Sequence, residues 1–154
     1  MAQLGFGMVG TGMIVGVIAD AIVKSANAKL IAVSGRQLGN AQSFVATRQG
    51  VAAVRGLDAL LTRADVDAVY IGTPTASKEE IALAAIAVGK HVLIEKPFVT
   101  QASVLRMTQV AAAKGVAFMD ATHFVHHPRT AASRSASTER IGSPRSPARP
   151  EATA

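Results

Sequence analysis

Six short apolar runs alternate with segments of helical character, and this alternation restricts the chain more than any other feature. The runs are Leu4–Val9, Lys29–Ser34, Val51–Val54, Ala68–Ile71, His91–Ile94 and Val116–Met119. Between them lie helical stretches from Gly12 to about Ser25, Asn40 to Arg48, Leu57 to Arg63, Ser77 to Val88 and Thr100 to Lys114. Punctuation supports the reading. Gly50, Gly89 and Gly115 stand where helices stop, Thr100 stands where a cap belongs, and Ser77 with Glu80 spells a capping box. A strand that re-enters its sheet after a helix does so by a right-handed crossover, and strands joined in this way lie parallel. The expectation is an α/β chain with a doubly wound parallel sheet.

Composition agrees. Hydrophobic residues make up 49% of the chain and charged residues 17%, enough to bury a core in 154 residues. Aromatics are only 4%, and the abundance of Ala, Val and Ile suits helices packed on buried parallel strands. With no Cys, disulfides, thiolate zinc sites and cysteine nucleophiles are excluded. The opening MAQLGFG has no basic region of the secretory kind. Residues 1–19 carry no charge, but they are rich in glycine and lead directly into Asp20 and Lys24, as a folded strand and helix would. The expectation is a cytoplasmic protein with no membrane partner.

The net charge of +6 is unevenly spread. Up to Pro128 there are 11 basic and 8 acidic residues, whereas residues 129–154 hold 5 Arg and 2 Glu. No aromatic residue follows Phe124 to stack on bases, so a nucleic-acid partner is not expected. The last stretch, SRSASTERIGSPRSPARPEATA, lacks apolar periodicity. The organisation expected is therefore one domain over residues 1–127 and a basic low-complexity tail over 128–154. Association with further copies of the chain, as a homo-oligomer, is left open.

The segment LGFGMVGTGMIVG admits two glycine registers. Gly5, Gly7 and Gly10 spell G-x-G-x-x-G, but would leave only Met1–Leu4 as the preceding strand. Gly10 and Gly12 leave Leu4–Val9 as the strand and start the helix near Gly12, which is what a phosphate-binding turn needs. Gly10 permits the tight turn, Gly12 admits a close backbone approach, and the helix N-terminus offers free N–H groups. The second register is the one expected, in a Rossmann sheet of about six strands. Its third place, ordinarily Gly or Ala, is Val15, with Gly16 beside it to allow adjustment.

A dinucleotide held there is read further by the end of the second strand. NAD sites usually carry a carboxylate at that position for the ribose hydroxyls. Here no acidic residue occurs between Asn27 and Leu38, and Ser34-Gly35-Arg36 stands in its place. An Arg can face the 2′-phosphate of NADP without a carboxylate to oppose it, so NADP is preferred, with NAD as the alternative. Strands four and five run into GTPT and EKP at the edge that faces the ligand crevice. Lys96 there is the candidate proton-handling group, more so with a pKa lowered by burial, and Pro97 is a candidate cis residue. His123, His126 and His127 are spaced for a metal, but with Asp120 as the only acidic neighbour they are read as crevice or linker residues, with no metal expected.

GMVGTGMI, Ser34-Gly35-Arg36, VYIGTPTASKEEIALAAIAVGKHVLIEKPF and MDATHFVHHPRT together resemble the Gfo/Idh/MocA oxidoreductases, with the dihydrodiol dehydrogenase branch as the most similar. The resemblance extends over about residues 3–146. It implies NAD(P)-dependent hydride transfer with a small-molecule substrate, a sugar, polyol or diol. It further implies that Gly10, Thr11, Gly12, Met13 and Ile14 bind the pyrophosphate, and that Ser34 and Arg36 take the adenosine phosphate end. Thr73 and Pro74 would line the cofactor cleft, Glu95 would hold the nicotinamide ribose, and Lys96 would work at the substrate oxygen. Lys78 replaces a histidine common in the family and is expected at the lip of the cleft. Against the family pattern, the usual second α/β domain is expected to be absent and the chain truncated. A non-catalytic dinucleotide-binding module, or an inactive fragment, is the alternative reading.

Overall fold

In the computed structural model, residues 3–98 and 100–122 are described. The chain divides into two compact units, Met1–Ala121 and Thr122–Ala154, and the sheet and its helices belong to the first. The expected tail and His123, His126 and His127 lie outside the described residues.

Among the described residues, eleven elements follow one another in strict alternation: β1 (Leu4–Val9), α1 (Met13–Val23), β2 (Ala28–Gly35), α2 (Leu38–Val45), β3 (Ala52–Arg55), α3 (Gly56–Leu61), β4 (Ala68–Ile71), α4 (Thr75–Ala87), β5 (His91–Ile94), α5 (Gln101–Lys114) and β6 (Phe118–Asp120). The six strands form one sheet in the order β3-β2-β1-β4-β5-β6, and every neighbouring pair is parallel. The order reverses between β1 and β4, the point where the two halves of a Rossmann sheet diverge and open a crevice.

Alternation along the strands sorts the core into two layers. Val9, Ala32, Val69, Ile71, Val92 and Ile94 face one way, against Leu60, Ala82, Ile86, Met107 and Ala111 of α3, α4 and α5. Met8, Val33 and Tyr70 face the other way, against Val15, Ala19 and Ile22 of α1, with Phe44 of α2 packed beside them. Glu95, one residue beyond Ile94, therefore falls on the Tyr70 side.

Several expected boundaries move, each for a local reason. α2 starts at Leu38 and ends at Val45, not at Arg48. Arg48 leaves the helix, donates to the Phe44 carbonyl at 2.6 Å and pairs with Asp20 at 2.8 Å. β6 begins at Phe118 rather than Val116 because Gly115, in the left-handed region, turns the chain back on α5. The Gly115 and Val116 amides bond the carbonyls of Ala112 and Ala111, so Val116 closes the helix instead of opening the strand. The Ser77–Glu80 capping box does not form. α4 already begins at Thr75, with Pro74 at the cap, and Ser77 sits in its first turn, donating to the Pro74 carbonyl. Thr100 caps α5 as expected, its hydroxyl accepting from the Ser103 amide at 3.1 Å.

Candidate functional site

A cavity of about 730 Å³ opens at the carboxyl ends of β1, β2 and β4, at the reversal of strand order. Its floor is the turn from Val9 to Gly12, one flank is Ser34, Gly35, Arg36 and Asn40, and the other is Gly72, Thr73, Pro74 and Ser77. The register built on Gly10 and Gly12 is the one that reaches it; Gly5 and Gly7 lie inside β1.

Gly10 has φ +113°, a conformation that L side chains rarely adopt, and a Cβ there would meet the Gly72 carbonyl oxygen at 3.0 Å. Its amide bonds the Ser34 carbonyl at 3.0 Å, tying the turn to β2. Gly12 caps α1 without a side-chain hydrogen bond, and a Cβ added there would meet nothing within 4 Å. The first intrahelical bond runs from the Gly16 amide to the Gly12 carbonyl, so the amides of Met13, Ile14 and Val15 have no helical partner. An uncapped N-terminus with open space before it fits an anion such as a diphosphate. The side chains of Met13, 90% exposed, and Ile14 take no part in the cavity wall; what those two residues offer is backbone.

Val15 occupies the third glycine position without strain because of Gly72. A Cβ on Gly72 would meet Val15 Cγ2 at only 2.4 Å and Tyr70 Cε1 at 3.2 Å. The bulk added to α1 is offset by bulk missing from the end of β4. Gly16 is not the adjustment expected of it; a Cβ added there would meet only Arg48 and Phe44, at 3.9 Å.

Ser34 and Arg36 both line the cavity but differ in kind. Ser34 is buried, and its hydroxyl donates to the Gly56 carbonyl at 2.7 Å, anchoring the end of β2 to α3. Arg36 is exposed, and among the described residues nothing pairs with its guanidinium. Thr73 and Pro74 line the opposite flank, with the Thr73 and Ser77 hydroxyls hydrogen-bonded at 3.1 Å. Asn40, Gly56, Leu57, Ala76 and Ile81 complete the wall. Sequence reasoning missed them because only the fold brings α2, α3 and α4 to this mouth.

In the turn after β5 the Lys96–Pro97 peptide is cis, as expected of Pro97. The rest of the turn departs from expectation, beginning with Lys96, which is exposed. Glu95 and Lys96 lie outside the cavity wall. Glu95 is only 5% exposed, and its Oε1 accepts from the buried Tyr70 hydroxyl at 2.8 Å. That oxygen is committed inward rather than presented to a ribose. Burial pushes the Tyr70 phenol well above its ordinary value, and the bond to Glu95 and the carboxylate charge push in the same direction.

Lys78 is not at the lip of the cleft. It is 4% exposed, and its Nζ donates to the Glu95 carbonyl at 2.6 Å and the Pro97 carbonyl at 3.2 Å. Desolvation lowers its pKa, the Glu95 charge opposes that and the Lys96 charge adds to it. The lysine buried at this turn is Lys78, while Lys96 stands in solvent. Among the described residues no helix is long and apolar enough to cross a membrane, and no cluster of three or more His, Cys, Asp or Glu could hold a metal ion.

Known proteins resemble this chain in sequence and fold. The chain is 46% identical over 79 residues to the dTDP-3,4-didehydro-2,6-dideoxy-alpha-D-glucose 3-reductase of Streptomyces violaceoruber, covering 51% of this chain and 23% of that one. The crystal structure of KijD10, a 3-ketoreductase from Actinomadura kijaniata in complex with NADP, superposes with a TM-score of 0.81 at 31% identity, over 89% of this chain and 44% of the other. GenD2 from gentamicin A biosynthesis, in complex with NAD, gives 0.83 at 28% identity, over 92% and 40%. The chain thus spans less than half the length of these relatives, and they do not single out the dihydrodiol dehydrogenase branch. The family model for the Gfo/Idh/MocA oxidoreductases, with their NAD-binding Rossmann fold, matches residues 4–122, and the chain belongs to that family.

Proposed function

We propose that this chain is the coenzyme-binding half of an NADP-dependent oxidoreductase that moves hydride between nicotinamide and a C–OH carbon of a sugar, polyol or diol. One observation carries the reading: the open, uncapped N-terminus of α1 and the unpaired Arg36 share one cavity at the switch point of the sheet. Amides from Thr11 to Ile14 hold the diphosphate, with Gly10 and Gly12 admitting it close to the backbone. Arg36 meets the 2′-phosphate through charge-assisted bonds, and NAD, which lacks that group, binds more weakly. Ser34 supports this end by fixing the β2 terminus, while Thr73 and Pro74 shape the path toward the nicotinamide. When bound, the coenzyme supplies or accepts the hydride.

Lys96 is the group that holds and moves the proton at the substrate oxygen, from an exposed position beyond the cavity. Glu95 anchors this turn on Tyr70 through Oε1, and the other oxygen of its carboxylate meets the nicotinamide ribose. The bound nucleotides of the two solved relatives, NADP in KijD10 and NAD in GenD2, support the choice of coenzyme class. The sugar nucleotide named for the Streptomyces relative supports a carbohydrate substrate.

Fluorescence titration with NADPH and NADH tests the proposal. Saturable binding of NADPH, about tenfold tighter than NADH, is expected from one charge-assisted contact. Absence of saturable binding by the folded chain would overturn it. Binding with no turnover of sugars or diols, even beside a partner chain that supplies the second domain, would favour the non-catalytic module.

A further inference from the structure

The proposed chemistry leaves Lys78 without a role, yet it is a cation buried between α4 and the turn after β5. Its Nζ donates to two backbone carbonyls, Glu95 at 2.6 Å and Pro97 at 3.2 Å. Those carbonyls belong to the residues on either side of Lys96. A lysine reaching a turn 17 residues further along the chain, and bracketing one residue of it, fixes that residue's backbone without touching its side chain. Tyr70 holds the same turn from the opposite layer of the sheet, through the Glu95 carboxylate. The Lys96 side chain is left in solvent, and among the described residues nothing pairs with it.

We propose that Lys78 is a positioning residue that holds the backbone on both sides of Lys96, so that Lys96 is presented to substrate from a fixed turn. This rests on the reading of Lys96 given above. The clamp is an ammonium with more than one donor, which a single-donor side chain reproduces only in part. The pKa of Lys78 is lowered, chiefly by desolvation, as expected of a cation kept in place by carbonyl oxygens more than by counter-charge.

The test uses the 154-residue chain with Lys78 replaced by Met, His or Arg, which offer no, one and several donors. Amide hydrogen exchange at Glu95, whose N–H donates to the Ile71 carbonyl at 3.0 Å, reports the turn. Loss of two charge-assisted bonds should speed it about tenfold or more in Lys78→Met, less in Lys78→His, and little in Lys78→Arg. Amides of β1 and β4 should keep their rates, which a merely structural loss of stability would not allow. NADPH titration adds a second readout. Lys78 lies outside the cavity, so affinity should stay within about threefold, while the fluorescence of the bound nicotinamide changes in Lys78→Met and returns in Lys78→Arg. Should Lys78→Met not fold, the contrast between His and Arg carries the same comparison. Equal exchange at Glu95 in all the folded variants would overturn the proposal, as would a rise spread evenly over the sheet. Failure of the wild-type chain to bind NADPH would instead remove the coenzyme reading, and the exchange rates would still decide what Lys78 does to the turn.

Discussion

The turns after β1 and β5 leave the same edge of one sheet, yet they are built by opposite means. After β1 the chain relies on backbone. Gly10 takes a left-handed conformation, Gly12 leaves open space, and the first-turn amides of α1 have no helical partner. After β5 it relies on side chains brought from elsewhere, Lys78 from α4 beneath the turn and Tyr70 from β4 behind it. A turn that must bind an anion with its own amides has to keep those amides free. A turn that must display one side chain has to immobilise its backbone by other means. The difference teaches where substitutions should act: through space at the first turn, through lost hydrogen bonds at the second.

Gly72→Ala is the most direct way to break the first turn. The new methyl would meet Val15 Cγ2 at 2.4 Å, so a loss of about 3 kcal/mol is expected from chemical denaturation. In a Val15→Ala background the cost should fall below about 1 kcal/mol, because the clashing methyls are gone. An unchanged cost in that background would mean that Val15 is not what Gly72 makes room for.

At the second turn, Tyr70→Phe removes the donor to the buried Glu95 carboxylate, and a loss of about 2 kcal/mol is expected. Alkaline titration sharpens the point, since Tyr70 is the only tyrosine in the chain. Its folded pKa is raised, so the folded chain holds this proton more firmly than the unfolded chain does. The stabilisation is complete below about pH 10, the ordinary phenol value, and is lost as pH rises beyond it. Tyrosinate absorbance should therefore appear together with unfolding; a free titration near pH 10 in the folded chain would contradict the buried pair.

Arg36→Ala contrasts with both, because this side chain lines the cavity without supporting either turn. It should weaken NADPH binding about tenfold, leave NADH binding nearly unchanged and leave stability alone. Thr100→Ala, which removes the α5 cap just beyond the second turn, should cost about 1 kcal/mol in thermal or chemical unfolding, with no effect on coenzyme affinity.

Legibility in the sequence follows the same division. The turn after β1 could be read because its requirements are local. Strand, glycine, glycine and helix are contiguous, and the choice of register needed only the length of the preceding strand. Arg36 could be read as well, since its position depends on the end of its own strand. Glu95 and Lys78 could not be read. In sequence Glu95 is an acid beside a lysine and Lys78 a charge on a helix, and nothing local says that one turns inward to a tyrosine and the other reaches a carbonyl 17 residues away. Val15 looked like a defect in the glycine pattern because its compensation, Gly72, lies on another strand.

By itself the sequence determined the alternation of strands and helices, and with it a parallel sheet wound in both directions from β1. Hydrophobic periodicity and glycine conformation act over a few residues and need no knowledge of the rest of the chain. Only the tertiary structure decided which charged groups are buried and which face solvent. Burial of a cation or a carboxylate is tolerated only where partners from distant strands and helices satisfy it, and those partners meet only once the sheet has formed.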